Sequence, residues 1–338
     1  MSPRVTVVVL AYGPEPDLAA SVASILSSRD VDVDLVLVDN GCTSSAVDDL
    51  QADPRVVVLR PADNLGFAGG VNHGARRATG EFLALVNSDA EVEPTALAEL
   101  VAVASRPEVG IASGSIRLAD QPHLLNSAGN PVHVVGLSWA GAFGEPASEH
   151  DAEASVASAS GAGLVMRLSH WERLGGFAEE YFAYHEDVDI SWRTWQAGLR
   201  VVFVPTAVVR HHYEFSRNPT KMFLLEKNRK VFLATAHGPR LRAVIWLPAL
   251  AVDVALRLVA RSQGWAAEKR RADAWVRDNR GWIRRRRAEV RAARTVPDRE
   301  LVHLLTPVLD QQVFPLPPGS GLLQGVLRAY WAVARRLV

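Results

Sequence analysis

The sequence contains little cysteine, no net charge and no long uninterrupted apolar run. Among its 338 residues there is one cysteine, Cys42, so an internal disulfide is excluded and a reducing compartment is expected. Hydrophobic residues make up 48% of the chain, which excludes a disordered polar chain and allows a sizeable core. The first residues, MSPRVTVVVLAY, lack the pattern of a signal peptide and predict a strand instead.

Several common cofactor and catalytic motifs are also missing. The first strand–helix turn, AYGPEPD, lacks G-x-G-x-x-G, which argues against a dinucleotide cofactor. The chain has no G-x-x-x-x-G-K-[ST], no H-E-x-x-H and no G-x-S-x-G. The glycines of residues 64–74 fit none of these patterns, so they either let a backbone approach a ligand closely or pack a helix tightly. Carboxylates and a histidine pair remain as the groups that can carry chemistry.

The net charge of zero conceals opposite charges in two parts of the chain. Residues 238–338 contain 19 Lys+Arg and 8 Asp+Glu, a net charge of +11, whereas residues 1–237 carry −11. This asymmetry indicates that the basic part contacts an acidic partner, either a membrane surface or nucleic acid. A basic helix that is simply solvated is the alternative.

The first third of the chain alternates strand and helix patterns. Apolar strands are predicted at residues 4–10, 33–38, 55–59, 82–86 and 109–113, with helices between them. Such strands indicate an α/β fold with a Rossmann-like, mostly parallel sheet and helices on both faces. Because ligands bind beyond the carboxyl ends of the strands in such sheets, the polar residues at those ends are candidate site residues. They are Tyr12, Asp39 and Asn87-Ser88-Asp89.

The candidate carboxylates have structural explanations as well as functional ones. A lone Asp after a strand is more often a turn or cap residue, but two carboxylates at one rim favour a site. Asp89 suits Mg²⁺, which takes one or two carboxylates together with substrate phosphates. Glu186, Asp187 and Asp189 lie at a predicted helix start, where helix capping explains them as well as catalysis does. His211 or His212 could supply a metal ligand or be structural.

Beyond residue 237 the pattern changes to basic, amphipathic helices. Residues 240–261 are largely apolar but are interrupted by Pro248, Asp253 and Arg257. We therefore expect an interfacial helix rather than a transmembrane span, which needs about 20 mostly apolar residues. Residues 284–287 are four consecutive arginines. A second apolar stripe is predicted in residues 322–338, formed by Leu323, Val326, Leu327, Tyr330, Val333, Ala334 and Leu337.

Five segments, in the expected order, resemble the family 2 glycosyltransferases of the GT-A fold, and within them the rhamnosyltransferase and galactofuranosyltransferase branch. The resemblance covers about residues 4–237. Three departures from the family pattern are Asn87 in place of the first Asp of D-x-D, Cys42 in place of Ser, and Ala178 in place of Asp. The segments are VTVVVLAYG, LVLVDNGCTS, DNLGFAGGVNHGARRATGEFLALVNSDAEVEP, SGAGLVMR with GGFAEEYFAYHEDVDISWR, and VVRHHYEFSRNPTKMFLLEKNR.

The resemblance implies a role for individual residues. Asp89 and His211, with His212 as the less favoured choice, would hold a Mg²⁺ or Mn²⁺ ion that bridges the nucleotide diphosphate. Asp187 would be the general base, with Glu186 as its neighbour. The implied acceptor-side residues are Gly161, Ala162 and Trp192. The implied nucleotide-sugar-binding residues are Ala11, Tyr12, Asp39, Asn64, Gly66, Asn72, Asn87 and Ser88.

The resemblance implies an inverting, metal-dependent glycosyltransferase of cell-envelope polysaccharide synthesis. It would move a sugar, with rhamnose the leading guess, from a thymidine or uridine diphosphate donor to a glycan or lipid-linked acceptor. Residues 1–237 would form the GT-A domain. Residues 238–338 would form a helical extension that binds the anionic inner face of the cell membrane peripherally or forms a homo-oligomer.

Two other classes of function stay open. One is a non-catalytic membrane partner that keeps the fold to bind nucleotide or glycan. Retention of Asp39, Asp89, Asp187 and His211 argues against it. The other is a nucleic-acid binder, which we do not expect and which rests on the basic tail and on three tryptophans that could stack on bases. These are Trp265, Trp275 and Trp282.

Overall fold

The computed structural model describes residues 2–212, 218–310 and 320–338. Residues 213–217, part of the last segment of the resemblance, lie outside this description. The chain forms two compact units. The division into residues 1–237 and 238–338 was predicted from the change in sequence composition, and it stays a prediction. The first unit comprises Met1–Asn130, Ala140–Thr194 and Leu199–Glu214, and the second comprises Pro131–Trp139, Trp195–Gly198 and Phe215–Val338.

The described residues form twelve strands. Ten of them make one sheet in the first unit, and the remaining pair, β8 and β12, lies in the second unit. The strands are β1 (Arg4–Gly13), β2 (Asp32–Cys42), β3 (Val56–Leu59), β4 (Phe82–Val86), β5 (Ala90–Val92), β6 (Val109–Leu118), β7 (Gln121–Ser127), β8 (Val132–His133), β9 (Ala154–Ser155), β10 (Gly163–Arg167), β11 (Arg200–His211) and β12 (Leu305–Thr306).

Helices connect and cover these strands. Short 3₁₀ helices occur at Ala147–Glu149, Glu179–Tyr181, Val302–Leu304 and Arg335–Leu337. The α-helices of the described residues are α1 (Leu18–Leu26), α2 (Ala46–Leu50), α3 (Gly66–Ala75), α4 (Ala96–Ala104), α5 (Leu168–Leu174), α6 (Glu186–Gln196), α7 (Pro219–Thr235), α8 (Pro239–Ser262), α9 (Ala266–Asp278), α10 (Arg280–Ala293), α11 (Asp298–Leu301) and α12 (Ser320–Ala334).

The predicted α/β class is confirmed by the sheet of the first unit. Its strand order is β3-β2-β1-β4-β10-β6-β11-β5, with β7 beside β6 and β9 beside β11. The β1–β2, β2–β3, β1–β4 and β6–β11 pairs are parallel, whereas β10 runs antiparallel between β4 and β6. Strand β4 is buried along its whole length, as its apolar sequence predicts. The carboxyl ends of β1, β2 and β4 therefore meet at one rim.

Helix α8 of the second unit corrects one prediction. We expected Pro248 to interrupt this segment, but it lies inside one continuous helix of 24 residues and is buried there. Among the described residues, α8 is the one helix long and apolar enough to cross a membrane, judged by length and composition alone. The missing backbone N–H of Pro248 normally costs a helix about 3 kcal/mol or more, so burial of its ring has to offset that cost.

A network of buried charges joins α7, α8 and α9 within the second unit. Lys269 donates to Asp253 at 2.7 Å and lies 2.8 Å from Glu226. Burial opposes ionisation of Glu226, but the adjacent cations hold its pKa below the ordinary value. Three carboxylates that lie close enough to share an ion are thus neutralised by protein cations, so we assign no metal there. The carboxylates are Glu226, Asp253 and Asp273, and the cations are Arg229, Lys230, Arg257 and Lys269.

The three tryptophans considered as base-stacking residues make contacts within the second unit. Trp265 is buried. Trp275 and Trp282 make an edge-to-face pair with ring centroids 6.0 Å apart, and Lys227 lies over the Trp275 ring at 4.9 Å. Rings held in such contacts are less available to stack on bases, which weakens the tryptophan argument for nucleic-acid binding and leaves the basic tail as its basis.

Candidate active site

The turn after β1 and the end of β2 form the first wall of the site. Ala11 is buried and pairs with Asp39 in the parallel register, so the two strand ends are adjacent. Tyr12 is 60% exposed, and a Cβ added at Gly41 would lie 3.5 Å from its ring. The Asp39 carboxylate accepts hydrogen bonds from the N–H of Gly41 and of Cys42 and lies 3.4 Å from Arg60. Asp39 therefore shapes its own turn and keeps one oxygen beside a guanidinium.

Glu15 was missed by the sequence analysis and joins this turn to the end of β4. Its carboxylate accepts a hydrogen bond from the Tyr12 N–H at 2.6 Å and from the Ser88 hydroxyl at 3.0 Å. Burial raises its pKa, although these two hydrogen bonds oppose the rise. The backbone of Glu15 has a positive φ of 48°, which a glutamate adopts only under constraint. No local sequence pattern predicts the hydrogen bond between Glu15 and Ser88, which lie 73 residues apart.

The Asn-Ser-Asp end of β4 lies beside the end of β11. The Asp89 carboxylate is 3.1 Å from Nε2 of His211, and the His212 N–H donates to the Asp89 carbonyl. Nδ1 of His211 contacts the Asn126 side-chain oxygen at 3.0 Å. With that oxygen as the acceptor, the imidazole carries its hydrogen on Nδ1 and presents the Nε2 lone pair toward Asp89. The side chain of His212 instead lies 3.4 Å from Glu91.

These residues fit a divalent cation. Octahedral ligands at about 2.0–2.1 Å from Mg²⁺ are about 3 Å apart, which matches the separation of the Asp89 oxygen and His211 Nε2. The Asn87 side-chain oxygen is buried, and no hydrogen-bond partner for it exists among the described residues. The Asn87 amide nitrogen is 3.4 Å from the same Nε2, so this side chain lies beside the pair. The site thus combines one carboxylate and one imidazole, with the Asn87 amide beside them.

Asp187 lies in the first turn of α6 in an environment suited to a base. One carboxylate oxygen accepts a hydrogen bond from the Val188 N–H at 2.8 Å. Among the described residues, the other receives only long contacts, at 3.4 Å, from the Gly161 N–H and from the Asn130 amide. Burial raises the pKa of Asp187 to about 6, against the lowering effect of these donors. A carboxylate with this pKa is ionised at neutral pH and accepts protons more readily than an exposed aspartate.

The neighbouring carboxylates occupy different environments. Asp189 is buried, forms an ion pair with Arg193 at 2.7 Å and accepts a hydrogen bond from the Tyr181 hydroxyl. Arg193 in turn donates to the carbonyls of Leu174 and Gly176. Asp189 therefore fixes α6 and is not placed to reach a substrate. Glu186 is also buried, whereas Asp187 keeps partial exposure.

A short turn, residues 160–162, connects Asp187 to the end of β4. The Gly161 N–H contacts the Asp187 carboxylate, and the adjacent Ala162 carbonyl accepts a hydrogen bond from the Asn87 N–H at 3.2 Å. Ala162 is buried while Gly161 is partly exposed. Two consecutive residues of one turn thus contact both the predicted base and the Asn-Ser-Asp segment, and they fix the position of one relative to the other.

The glycine-rich start of α3 packs on the loop that precedes Asp187. A Cβ on Gly66 would lie 2.5 Å from the Phe182 carbonyl oxygen, and Gly66 has a positive φ of 68°. The Asn64 side chain accepts from the Gly66 N–H, and Asn40, which was not predicted, donates to Asn64 at 2.9 Å. Only a glycine at residue 66 therefore allows the two segments to approach this closely.

The loop of residues 182–185 contains three non-glycine residues in the left-handed region. Phe182, Tyr184 and His185 have φ values of 64°, 68° and 71°. Such conformations cost about 1–3 kcal/mol each and concentrate at functional sites. The aromatic side chains of Phe182 and Tyr184 are exposed. They are therefore better placed than a core residue to contact an acceptor.

Two predicted site residues have buried or occupied side chains. The Asn72 amide accepts from the Phe177 N–H and donates to the Phe177 carbonyl, each at 2.9 Å, so it positions the 177 turn. Trp192 has no exposed surface. Its acceptor-side assignment is revised, because a side chain enclosed in the core supports α6 and presents no surface to a ligand.

The fold resembles that of sugar-nucleotide enzymes. The mannosyltransferase PcManGT from Pyrobaculum calidifontis, solved with GDP-Man and Mn²⁺, has a TM-score of 0.53 at 18% identity over 99% of this chain and 86% of that chain. Residues 1–349 of TarS from S. aureus, solved with UDP-GlcNAc, give 0.54 at 14% identity over 98% and 89%. At these identities the similarity establishes the fold alone, which is the GT-A fold predicted from the sequence.

Sequence comparisons establish the family. A model described as "Glycosyltransferase like family 2" matches residues 3–232. The N-acetylglucosaminyl-diphospho-decaprenol L-rhamnosyltransferase of Mycobacterium tuberculosis is 30% identical over 273 residues, which cover 72% of this chain and 88% of that protein. The O-antigen biosynthesis protein RfbC of Myxococcus xanthus is 30% identical over 64% of this chain and 18% of its own length. The chain belongs to glycosyltransferase family 2, and it is a glycosyltransferase.

Proposed function

We propose that this glycosyltransferase moves a sugar, with rhamnose as the first candidate, from a thymidine or uridine diphosphate donor to a lipid-linked or glycan acceptor. The observation that carries the proposal is the turn of residues 160–162. It joins a carboxylate with a pKa of about 6 to the Asn-Ser-Asp end of β4. The sugar and the acceptor class are taken from the mycobacterial rhamnosyltransferase named above.

In this proposal Asp187 is the general base. An acceptor hydroxyl has a pKa far above 7, so it needs a group that accepts its proton as it attacks the anomeric carbon. The proton passes to the Asp187 oxygen that has only long contacts, and the bond from the anomeric carbon to the diphosphate breaks on the opposite face. The configuration is therefore inverted, and water later removes the proton from Asp187.

We assign a Mg²⁺ or Mn²⁺ ion to Asp89 and His211, with the Asn87 oxygen as a neutral third ligand. A bound divalent cation would neutralise the charge that develops on the departing diphosphate. The observations that support this assignment are the 3.1 Å separation of Asp89 and His211 and the unpartnered buried oxygen of Asn87. Tyr12, Asp39 and Ser88 would contact the nucleotide from the neighbouring strand ends.

The second unit supplies a surface suited to peripheral membrane binding. Helix α8 exposes an apolar stripe, in which Trp246 is 64% exposed, and α12 exposes a second one. The Tyr330 hydroxyl donates to the Val244 carbonyl, so the two helices are adjacent. Leu323, part of the predicted stripe, lies outside the residues whose side chains are described. The exposed apolar residues are Trp246, Leu247, Leu250, Val254, Leu258 and Val259 of α8, together with Leu322, Val326, Tyr330, Val333 and Leu337.

A peripheral position fits α8 better than a transmembrane one. Asp253 lies in the middle of α8 and is held by Lys230 and Lys269 from the neighbouring helices. Inserting α8 across a bilayer would bring this charged network into hydrocarbon, which is costly. An interfacial helix keeps the network on the protein side and its exposed stripe on the lipid side. We therefore propose peripheral attachment to the inner face of the cell membrane.

The donor is tested by a thermal-shift panel of nucleoside diphosphates and nucleotide sugars, with and without Mg²⁺ or Mn²⁺. A ligand that binds the native state raises the melting temperature. We expect thymidine or uridine diphosphate sugars to give the largest shift and the shift to need the metal. Shifts by guanosine or adenosine compounds alone would contradict the donor assignment.

The acceptor is tested with the donor that the panel identifies. Incubation with N-acetylglucosaminyl-diphospho-polyprenol should give a product heavier by one sugar, detected by mass spectrometry. Transfer only to soluble glycans would contradict the lipid-linked acceptor, and hydrolysis without transfer to any offered acceptor would contradict the acceptor class as a whole.

A further inference from the structure

The second unit contains a cavity of about 470 Å³ where α7 ends and α8 begins, and α10 and α11 complete it. This volume is within the range of small-molecule sites. The side chains that line the cavity include one carboxylate, Asp298, but many guanidinium groups. The lining arginines are Arg240, Arg242, Arg287, Arg291, Arg294 and Arg299.

Four of the six lining arginines form no ion pair with the described residues. Asp298 is engaged by Arg294 at 2.7 Å and by the Gly238 N–H at 2.8 Å. Within the described part of the chain, no carboxylate lies within ion-pair distance of Arg240, Arg242, Arg287 or Arg291. Arg287 is half-buried and donates only to the Ala234 carbonyl. Arg242 and Arg287 are partly buried, whereas Arg240 and Arg291 are exposed. A guanidinium that is partly desolvated without a counter-ion is unfavourable unless an anion binds.

The positive charge of the lining arginines affects the pKa values of neighbouring groups. Burial, together with the nearby charges of Arg294 and Arg242, lowers the pKa of His237 to about 3. Burial also lowers the pKa of Arg287, and the adjacent Arg242 adds to that effect. Arg242 and Arg287, which both line the cavity, therefore place like charges near each other there.

Two polar features of the backbone and side chains also face this cavity. Helix α8 begins here, with Gly238 before it and Pro239 at its first position, so its positive dipole end adjoins the arginines. Gln196 is 2% exposed and donates to the Ala236 carbonyl, while its side-chain oxygen has no partner among the described residues. A hydroxyl on the ligand would satisfy this oxygen.

We propose that the arginine cavity binds a phosphate ester, with its phosphate held by Arg242, Arg287 and Arg291 and a hydroxyl of the ligand bound by Gln196. The same group occurs in anionic phospholipid headgroups and in soluble sugar phosphates. The position of the cavity favours the headgroup, because the exposed Trp246 lies about 10 Å along α8 from Pro239, at 1.5 Å per residue. The cavity and the apolar stripe are both in the second unit, whereas the active-site residues are in the first.

The soluble form of the ligand is tested on the full chain with inorganic pyrophosphate in the presence of EDTA, by thermal shift and calorimetry. We expect binding to the wild type and to Asp89→Ala, since the cavity is independent of the proposed metal site. Arg242→Gln and Arg291→Gln should each raise the dissociation constant at least tenfold. Arg270→Gln, which changes an exposed arginine outside the cavity, is the matched control and should bind as the wild type does.

The headgroup form is tested with vesicles of phosphatidylglycerol in phosphatidylcholine. Weaker binding by Arg291→Gln than by Arg270→Gln would identify the lipid as the source of the phosphate. If the cavity variants lose pyrophosphate binding but bind vesicles as Arg270→Gln does, the ligand is a soluble ester. Arg291 is exposed, so its replacement tests the site even if Arg242→Gln fails to fold. Identical behaviour of the cavity variants and Arg270→Gln in both experiments would overturn the proposal and leave the proposed transferase activity untouched.

Discussion

Asp187 combines partial exposure with a pKa raised by burial, and both properties affect its titration. As a base it must be ionised, so kcat/KM should rise with pH, with a midpoint near the pKa of about 6, and then reach a plateau. A pH–rate profile of the wild type measures this midpoint. The residual activity of Asp187→Asn should not show this rise. A wild-type profile that stays flat from pH 5 to 8 would contradict the assignment.

The same titration affects stability with a definite sign. Because folding raises the pKa of Asp187, the unfolded chain binds fewer protons between about pH 4 and 6, and this group destabilises the fold as pH rises through that range. Asp187→Asn removes the cost, so it should melt at a higher temperature than the wild type at pH 8. The difference should disappear near pH 4. Calorimetry at both values checks this, and a variant less stable at pH 8 would argue against a desolvated carboxylate.

The metal assignment makes a prediction for two adjacent histidines. His211 points its Nε2 at Asp89, whereas His212 lies beside Glu91. Asp89→Ala and His211→Ala should each weaken Mn²⁺-dependent binding of the nucleoside diphosphate at least tenfold, whereas the control His212→Ala should change it less than threefold. Titration calorimetry with and without EDTA measures this. Undiminished metal-dependent binding in the first two variants would remove the proposed cation site.

The sequence could indicate some of these residues and not others. Asp89 and Asp187 belong to local motifs, so their positions could be predicted. Glu15, Asn126 and Asn130 act through bonds to residues between 57 and 85 positions away. Such contacts depend on which strands become neighbours, and no short pattern records that. Trp192 was misassigned for a related reason, because burial within a helix is decided by the elements packed around it.

At the scale of elements, the approach of α3 to the 182–185 loop depends on the glycine at residue 66. Gly66→Ala would introduce a Cβ 2.5 Å from the Phe182 carbonyl and would also strain a φ of 68°. Gly144 has a similar φ of 76° but open space around an added Cβ. Gly144→Ala therefore measures the backbone strain without a steric clash. We expect Gly144→Ala to lower the free energy of unfolding by about 1 kcal/mol and Gly66→Ala by at least about 2 kcal/mol more. Urea denaturation compares them, and equal effects would contradict the close packing.

Helix α8 shows why an element can be misjudged from its sequence. Pro248 indicates a break when only propensity is considered, since it removes a helical hydrogen bond. In the structure its ring is buried, and Asp253, another apparent interruption, is paired with lysines of neighbouring helices. Tertiary contacts therefore compensate for both residues. The strands of the sheet were predictable because their apolar runs are short, continuous and bounded by polar residues.

At the scale of the whole molecule, the charge separation should be measurable as membrane binding. Of the four consecutive arginines, Arg284 and Arg285 are exposed, whereas Arg287 donates to the Ala234 carbonyl. Each exposed arginine near an anionic surface contributes about 1 kcal/mol, so replacing both with Gln should weaken vesicle binding about tenfold or more. Trp246→Ser should reduce the part of the binding that survives high salt.

Liposome co-sedimentation at low and high salt measures both effects. Arg29→Gln, which changes an exposed arginine of the first unit, is the control and should bind as the wild type does. Binding to anionic but not to neutral vesicles is expected. If the chain sediments with neither type, the exposed stripes of α8 and α12 instead join copies of the chain, and light scattering should then detect an oligomer.

The most direct test of the account is the turnover of Asp187→Asn with the donor and acceptor that the wild type uses. A base acts mainly in the transition state, so the dissociation constant of the donor should stay within about twofold of the wild type. The turnover number, measured as release of the nucleoside diphosphate, should fall by roughly 10²–10⁴-fold. Near-wild-type turnover of Asp187→Asn would contradict the central claim that this carboxylate accepts the proton of the acceptor hydroxyl.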